Sequence, residues 1–311
     1  MSDISFSRQT TLLNANLICM ASMLIWAAGL PAADHLIPLL IPEQLNALRM
    51  LLAAGFLVLV WALLEGFGPL MRTNWLKGIA VGSLIGLGAW FLIRGQAIGG
   101  AVTAAVISST LPVVGIALEV VLDGRKVTLA LMLGLLLSLV GGVLTLDPGA
   151  AGAAGVLLLA WGALLCFGSV VSFAIGSRLT VTAFPAESPF GRTAVTLTGA
   201  AIAALAVAGG QVALGGEMPS FAVWGWKEIG AILLFSVGAL GISQVMWIMS
   251  VERLGIGLSA LHINAAPFYV MLILFALGDA WNWPQAFAAA LVGLGVLIAQ
   301  GILPLPFGKR P

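Results

Sequence analysis

From Leu12 to Leu303 the chain runs through one long apolar stretch after another, separated by short polar turns. An apolar run of about 18 residues or more is long enough to cross the hydrocarbon core of a bilayer as a helix, with every backbone group bonded internally. Only 8% of the residues are charged, against about 25% in an ordinary globular domain. The 39 glycines would weaken soluble helices, but in a membrane they let helices approach closely. The fold class that follows is an all-α polytopic membrane protein. Ten spans are expected, at 12–34, 43–62, 75–98, 101–121, 127–146, 154–178, 189–209, 227–250, 256–277 and 284–303.

The net charge of +1 identifies no partner, but the placement of the charges is informative. With the N-terminus in the cytoplasm, only Arg49, Arg94 and Lys227 fall toward the outside, leaving ten of the 13 basic residues on or near the inner side. The positive-inside rule then places both termini in the cytoplasm. Pro31-Ala32-Ala33 resembles a signal cleavage site, but the apolar stretch before it is too long for a typical signal, so span 1 is kept as a membrane helix.

The pattern also occurs twice. Leu-Val-Gly-Gly-Val-Leu at 139–144 returns as Leu-Val-Gly-Leu-Gly-Val-Leu at 291–297. Pro112 is matched by Pro267, 155 residues on, and Arg49 by Arg192, 143 residues on. The turn-forming stretch Asp147-Pro148-Gly149-Ala150-Ala151-Gly152 divides the units. The chain therefore reads as one membrane domain of two five-helix repeats, 1–148 and 149–311. Five crossings is an odd number, so the copies are inverted, the architecture of secondary transporters, with a central cavity between the halves.

Other chemistries find little support. No connection is long enough to fold as a soluble catalytic or nucleotide-binding domain, and no P-loop is present. With two cysteines and two histidines, and neither Cys-x-x-Cys nor His-Glu-x-x-His, no metal, cofactor or disulfide framework is expected. No nucleophile–base motif points to an enzyme, and nothing points to nucleic acid.

Several fragments resemble the EamA repeats of the drug/metabolite transporter superfamily, over about residues 12–303. The end of the third helix of each repeat reads Gln96-Ala97-Ile98-Gly99-Gly100-Ala101 and Ser250-Val251-Glu252-Arg253-Leu254-Gly255. The approach to the fourth-helix proline reads Ile107-Ser108-Ser109-Thr110-Leu111-Pro112 and His262-Ile263-Asn264-Ala265-Ala266-Pro267. The superfamily's Leu-Gly-Glu is altered to Leu277-Gly278-Asp279 and Leu122-Asp123-Gly124. The whole chain, including Asn16 to Leu30, looks closest to the YddG-type exporters of aromatic amino acids. The resemblance implies a bacterial inner-membrane exporter of amino acids and some hydrophobic toxic compounds, with helices 5 and 10 peripheral.

Candidate binding residues are the polar and aromatic groups within apolar spans. His262 and Asn264 stand in span 9, where an unsatisfied polar group is expensive in lipid. Their two-residue spacing puts them on different faces, His262 with Tyr269 and Asn264 with Phe268 and Met271. Gln244 and Trp247 are i, i+3 neighbours on span 8, placing an amide beside an aromatic wall. Trp90 and Ser108-Ser109 supply the first repeat, with Ser109 aligned to Asn264. Met23 belongs to a stripe with Asn16, Met20 and Ala27, and methionine suits a permissive cavity. The substrate-binding candidates are thus Trp90, Gln244, His262, Asn264, Met23, Ser109 and Tyr269.

No acidic residue stands at mid-membrane depth, and Arg49, Arg94 and Arg192 read as lying near span ends. The expected cavity is net neutral, with His262 its one titrating group. It suits small neutral or zwitterionic amphipathic solutes, aromatic or hydrophobic amino acids first, with hydrophobic drugs, hydrophobic cations or other metabolites as the alternative. The partners implied are that small-molecule substrate and the lipid bilayer. The oligomeric state stays open, a monomer being compatible with the sequence.

Overall fold

In a computed structural model the described residues are 2–108, 110–144, 156–276, 278, 280–281, 283–299 and 303. The expected boundary at 147–152, Ser109 and the C-terminal Lys309 and Arg310 lie outside them. Every regular element among the described residues is helical. The first half contains α1 (Ser2–Leu36), α2 (Pro42–Glu65), α3 (Phe67–Arg72), α4 (Trp75–Ser108), α5 (Leu111–Asp123) and α6 (Leu129–Leu144). The second contains α7 (Val156–Ala183), α8 (Pro189–Ala213), α9 (Trp226–Leu233), a π-helical segment (Leu234–Ile242), α10 (Ser243–Ala260), a 3-10 segment (Leu261–Ala265), α11 (Ala266–Ala276) and α12 (Trp283–Ala299).

Proline sets several of these starts. Pro42 opens α2 and Pro189 opens α8, in the first turn, where a missing N–H costs nothing. The Ser188 hydroxyl caps α8 by accepting from the Gly191 N–H at 3.0 Å. Pro112 lies at the start of α5. It can neither donate to a preceding helical turn nor fit inside one, so the stretch expected as a single span, 101–121, is divided between the end of α4 and α5.

Among the described residues, six segments are long and apolar enough to cross a membrane: Leu12–Leu36, Pro42–Glu65, Trp75–Ile98, Ala160–Ala183, Pro189–Ala213 and Trp226–Ile273. The last has 48 residues, more than twice the roughly 20 that one crossing needs. Gly255, at φ 79 and ψ 165, breaks it, close to the expected gap between spans 8 and 9. Among the described residues α5, α6 and α12 cover 13, 16 and 17 residues. Bulky apolar side chains such as Leu63 (76% exposed), Leu59 and Leu164 point away from the helix packing, which lipid accepts and water does not. The chain is a multi-pass membrane protein.

Packing between helices crosses between the halves. α4 lies against α7 and α8, and α2 against α8 and the π segment. α1 lies against α10, the π segment and α11, and α5 against α7 and α10. α6 and α12, which carry the repeated Leu-Val-Gly motif, pack on each other. Glycine makes the closest contact possible: a Cβ at Gly86 would lie 2.6 Å from the Ala200 carbonyl oxygen on α8, and one at Gly82 would fall 2.6 Å from the Ala200 nitrogen. The ladder Gly78-Gly82-Gly86 is therefore a helix-packing face.

Short polar ties fix the register of these contacts. Asn46 Nδ2 donates to the Gly86 carbonyl at 3.1 Å, joining α2 to α4. The Ser22 hydroxyl donates to the Ser243 carbonyl at 2.8 Å, joining α1 to α10. Glu119, near the end of α5, is buried. Its carboxylate pairs with Arg125 and accepts the Gly257 N–H at 2.8 Å, so it satisfies backbone exposed by the break at Gly255. At the end of α5, the Arg178 guanidinium donates to Asp123 at 2.6 Å and holds that carboxyl below its ordinary range.

Candidate functional site

One cavity gathers wall residues from both halves of the chain. α1 contributes Met23 and Trp26, α2 contributes Arg49 and Met50, and α4 contributes Ile85, Ala89, Leu92 and Ser108. From the second half come Ser169, Val170 and Phe173 of α7, Leu240 of the π segment, and Ser243, Gln244 and Trp247 of α10. Leu111 and Ile263 complete the wall. Its empty space, mouth included, is about 700 Å³.

The wall is apolar with a few oriented polar groups. Phe173 and Trp247 stack obliquely, ring centroids 5.6 Å apart. The Trp247 indole N–H donates to the Ser177 hydroxyl at 3.0 Å, which fixes the ring and satisfies its one donor. Gln244 is buried, and its Nε2 has no hydrogen-bond partner. Arg49 is 4% exposed, and its Nε also lacks a partner. The guanidinium carbon lies 4.0 Å from the centroid of the Phe235 ring.

Of the sequence candidates, Met23 and Gln244 stand in this wall, and Trp247 stands beside Gln244 as the i, i+3 spacing requires. Trp90 does not: its indole N–H donates at 3.1 Å to Glu43 Oε1. The same oxygen accepts from Arg94 Nε at 3.0 Å and Nη2 at 2.8 Å, so Trp90 belongs to a partly buried knot joining α2 and α4. His262 and Asn264 are buried but outside the wall, where Ile263 between them takes the place. In a 3-10 turn consecutive side chains point about 120° apart, so when Ile263 faces inward its two neighbours turn away. His262 Nδ1 and both amide atoms of Asn264 have no partner. Tyr269 is half-buried, its ring near Phe268, and is not in the wall. Ser109 lies outside the described residues, while its neighbour Ser108 is in the wall.

The expectation of a neutral cavity differs most from the structure. Arg49 and Arg192 were paired by a 143-residue offset, but the helices that carry them start 147 residues apart, at Pro42 and Pro189. Arg49 consequently sits one helical turn, about 6 Å, farther into its helix than Arg192. Arg192, at 3% side-chain exposure, pairs with Glu252 at 2.7 Å. Arg49 has only Leu45, Asn46, Leu52 and Ala53 at helical i±3 and i±4 positions. That absence of any acidic neighbour within a run of apolar residues was a legible sign of a functional intramembrane charge. Trp26, Met50, Ser169 and Phe173 gave no such sign, being residue types that serve equally in helix packing.

Chemically, the site can bind and enclose. Both cysteines are free and buried, and among the described residues no three His, Cys, Asp or Glu side chains are grouped to hold a metal.

Residues 13–146 match the EamA-like transporter family. Over 300 residues the chain is 25% identical to the uncharacterized transporter YyaM of Bacillus subtilis (strain 168), covering 94% of this chain and 96% of the relative. A crystal structure of a protein 22% identical to this chain superposes with a TM-score of 0.75, over 96% of this chain and 99% of its own, so the two share a fold.

Proposed function

We propose that this chain, a multi-pass membrane protein with an EamA-like transporter region at residues 13–146, is a secondary transporter exporting small amphipathic solutes across a bacterial inner membrane. Aromatic and hydrophobic amino acids are the favoured cargo. The observation that carries the reading is the cavity itself, enclosed by α1, α2 and α4 on one side and α7, the π segment and α10 on the other. Two halves that rock about such a cavity alternate its access between the two sides of the membrane.

The exchange of helix contacts supports two repeats, 1–148 and 149–311, and an odd number of crossings in each would invert them. If α1, α2, α4 and α5 correspond to α7, α8, the α9–α10 rod and α11, then α1 on α10 becomes α7 on α4. Likewise α2 on the π segment becomes α8 on α4, and α5 on α7 becomes α11 on α1. The pairs α2 with α8 and α6 with α12 map onto themselves. The basic residues favour cytoplasmic termini. A hydrophobic cation is a poorer fit than the sequence suggested, because Arg49 places positive charge in the wall.

The reading is tested by counterflow in liposomes containing the purified protein. Labelled phenylalanine should accumulate against internal phenylalanine, and leucine should compete better than glucose 6-phosphate or aspartate. Gln244→Ala should lower this flux roughly tenfold, the value of one lost bond to a charged group, with little change in thermal stability. Asn264→Ala, outside the wall, should leave flux near that of the parent. Absence of counterflow for every amino acid tried would remove the proposal, and equal flux in the Gln244 variant would remove that residue from the site.

A further inference from the structure

We propose that Arg49 is the anchor for a carboxylate on the transported solute, so that the cargo class is a monocarboxylate with an apolar or aromatic body. This rests on the transport reading above and deepens it.

Burial and pairing single out this residue. Arg94, Arg125, Arg178 and Arg192 each meet a carboxylate. Among the described residues, Arg49 is the one buried arginine with no ion-pair partner. Arginine stays charged in proteins, and a charge held away from water without a counter-ion is costly. A transporter keeps such a group where the missing counter-ion arrives with the substrate.

Orientation agrees. The face of the guanidinium is occupied by Phe235 at 4.0 Å, which leaves the in-plane N–H edges as its available donors. That edge is the part matched to a carboxylate. Gln244 Nε2, a second buried donor without a partner, lines the same cavity. No acidic side chain lines it, so the wall itself offers no counter-ion to either donor.

Charge count sets the class. One guanidinium balances one negative charge, whereas a phosphate monoester dianion would carry a second that no wall residue neutralises. The apolar remainder of the solute faces Trp26, Phe173, Trp247 and Met23. A solute amine finds only neutral acceptors, the Gln244 amide oxygen and the hydroxyls of Ser108, Ser169 and Ser243, and no carboxylate, so it contributes little. Zwitterionic amino acids are therefore one case of a wider class in which the carboxylate is required and the amine is dispensable.

The experiment measures competition against labelled phenylalanine counterflow by phenylalanine, phenylalaninamide, 3-phenylpropanoate and phenyl phosphate. Calorimetric binding of the same four compounds to the purified protein accompanies it. In the parent protein, the amide should bind roughly 10- to 100-fold more weakly than phenylalanine, as expected for losing charge-assisted hydrogen bonds. The deaminated acid should stay within about threefold of phenylalanine, since its loss is a neutral contact. In Arg49→Gln the calorimetric gap between acid and amide should close. In Arg49→Lys, which keeps the charge but loses the fork, the gap should narrow and persist. If amide and acid bind the parent equally while counterflow proceeds, the anchor is overturned and transport stands. If a gap persists unchanged in folded Arg49→Gln, the anchor is likewise overturned. If no compound moves or binds, the transport reading fails, and the anchor with it.

Discussion

Gly82→Leu is expected to give a protein that cannot pack α4 against α8. A Cβ at this position would lie 2.6 Å from the Ala200 nitrogen and 2.8 Å from the Gly199 carbonyl carbon. These are backbone atoms, which cannot turn aside as a side chain does. Overpacking usually costs about 1–3 kcal/mol where side chains absorb it, so a clash with backbone should exceed the upper end. Gly55→Leu provides the control, because nothing lies within 4 Å of a Cβ there and the residue is exposed to lipid. Thermal unfolding of the purified variants should show a large loss for the first and little change for the second. Equal midpoints would mean that α4 and α8 are not in this contact.

Arg49 and Arg192, the two buried arginines among the described residues, should respond in opposite directions to loss of charge or partner. Glu252→Ala strands the Arg192 guanidinium, 3% exposed, without its carboxylate. Breaking a buried pair by removing one partner typically costs about 3–5 kcal/mol, and the 43% exposure of the Glu252 side chain argues for the lower end. Arg49→Gln instead removes a buried charge that has no partner, so the substrate-free protein should become more stable, by about 1–3 kcal/mol. Paired unfolding measurements without substrate check both signs. Destabilisation by Arg49→Gln would show that the guanidinium serves the resting structure rather than a ligand.

Much of the architecture was legible because lipid imposes a strong rule on the sequence. Unbroken apolar runs had to be helices, and the helix starts at Pro42 and Pro189 lie within one residue of the expected spans. The close approach of α4 to α8 follows from residue size, since Gly78, Gly82 and Gly86 put no Cβ between the two helices. The less legible features depend on rotation about a helix axis and on depth. The alternation of His262 and Asn264 warned that both cannot face one site, but not that Ile263 would take the inward position. Trp90 looked like an aromatic wall, and only folding brings Glu43 within 3.1 Å of its indole nitrogen. Arg49 was misplaced because an offset chosen to match two arginines hides a one-turn difference in where their helices begin. The methionine stripe includes Met23, which stands in the wall, although the same pattern describes ordinary helix packing.

Side-specific labelling of the cavity tests the central claim most directly. Ser169 lines the wall from α7 and is 6% exposed. A Ser169→Cys variant in a background lacking Cys19 and Cys166 presents a single thiol to a membrane-impermeant reagent. Applied to right-side-out and to inverted vesicles in turn, the reagent should reach that thiol from both sides, and phenylalanine should protect it in each case. Labelling from one side only, or labelling unaffected by any solute that the protein transports, would contradict a cavity that alternates between the two faces of the membrane.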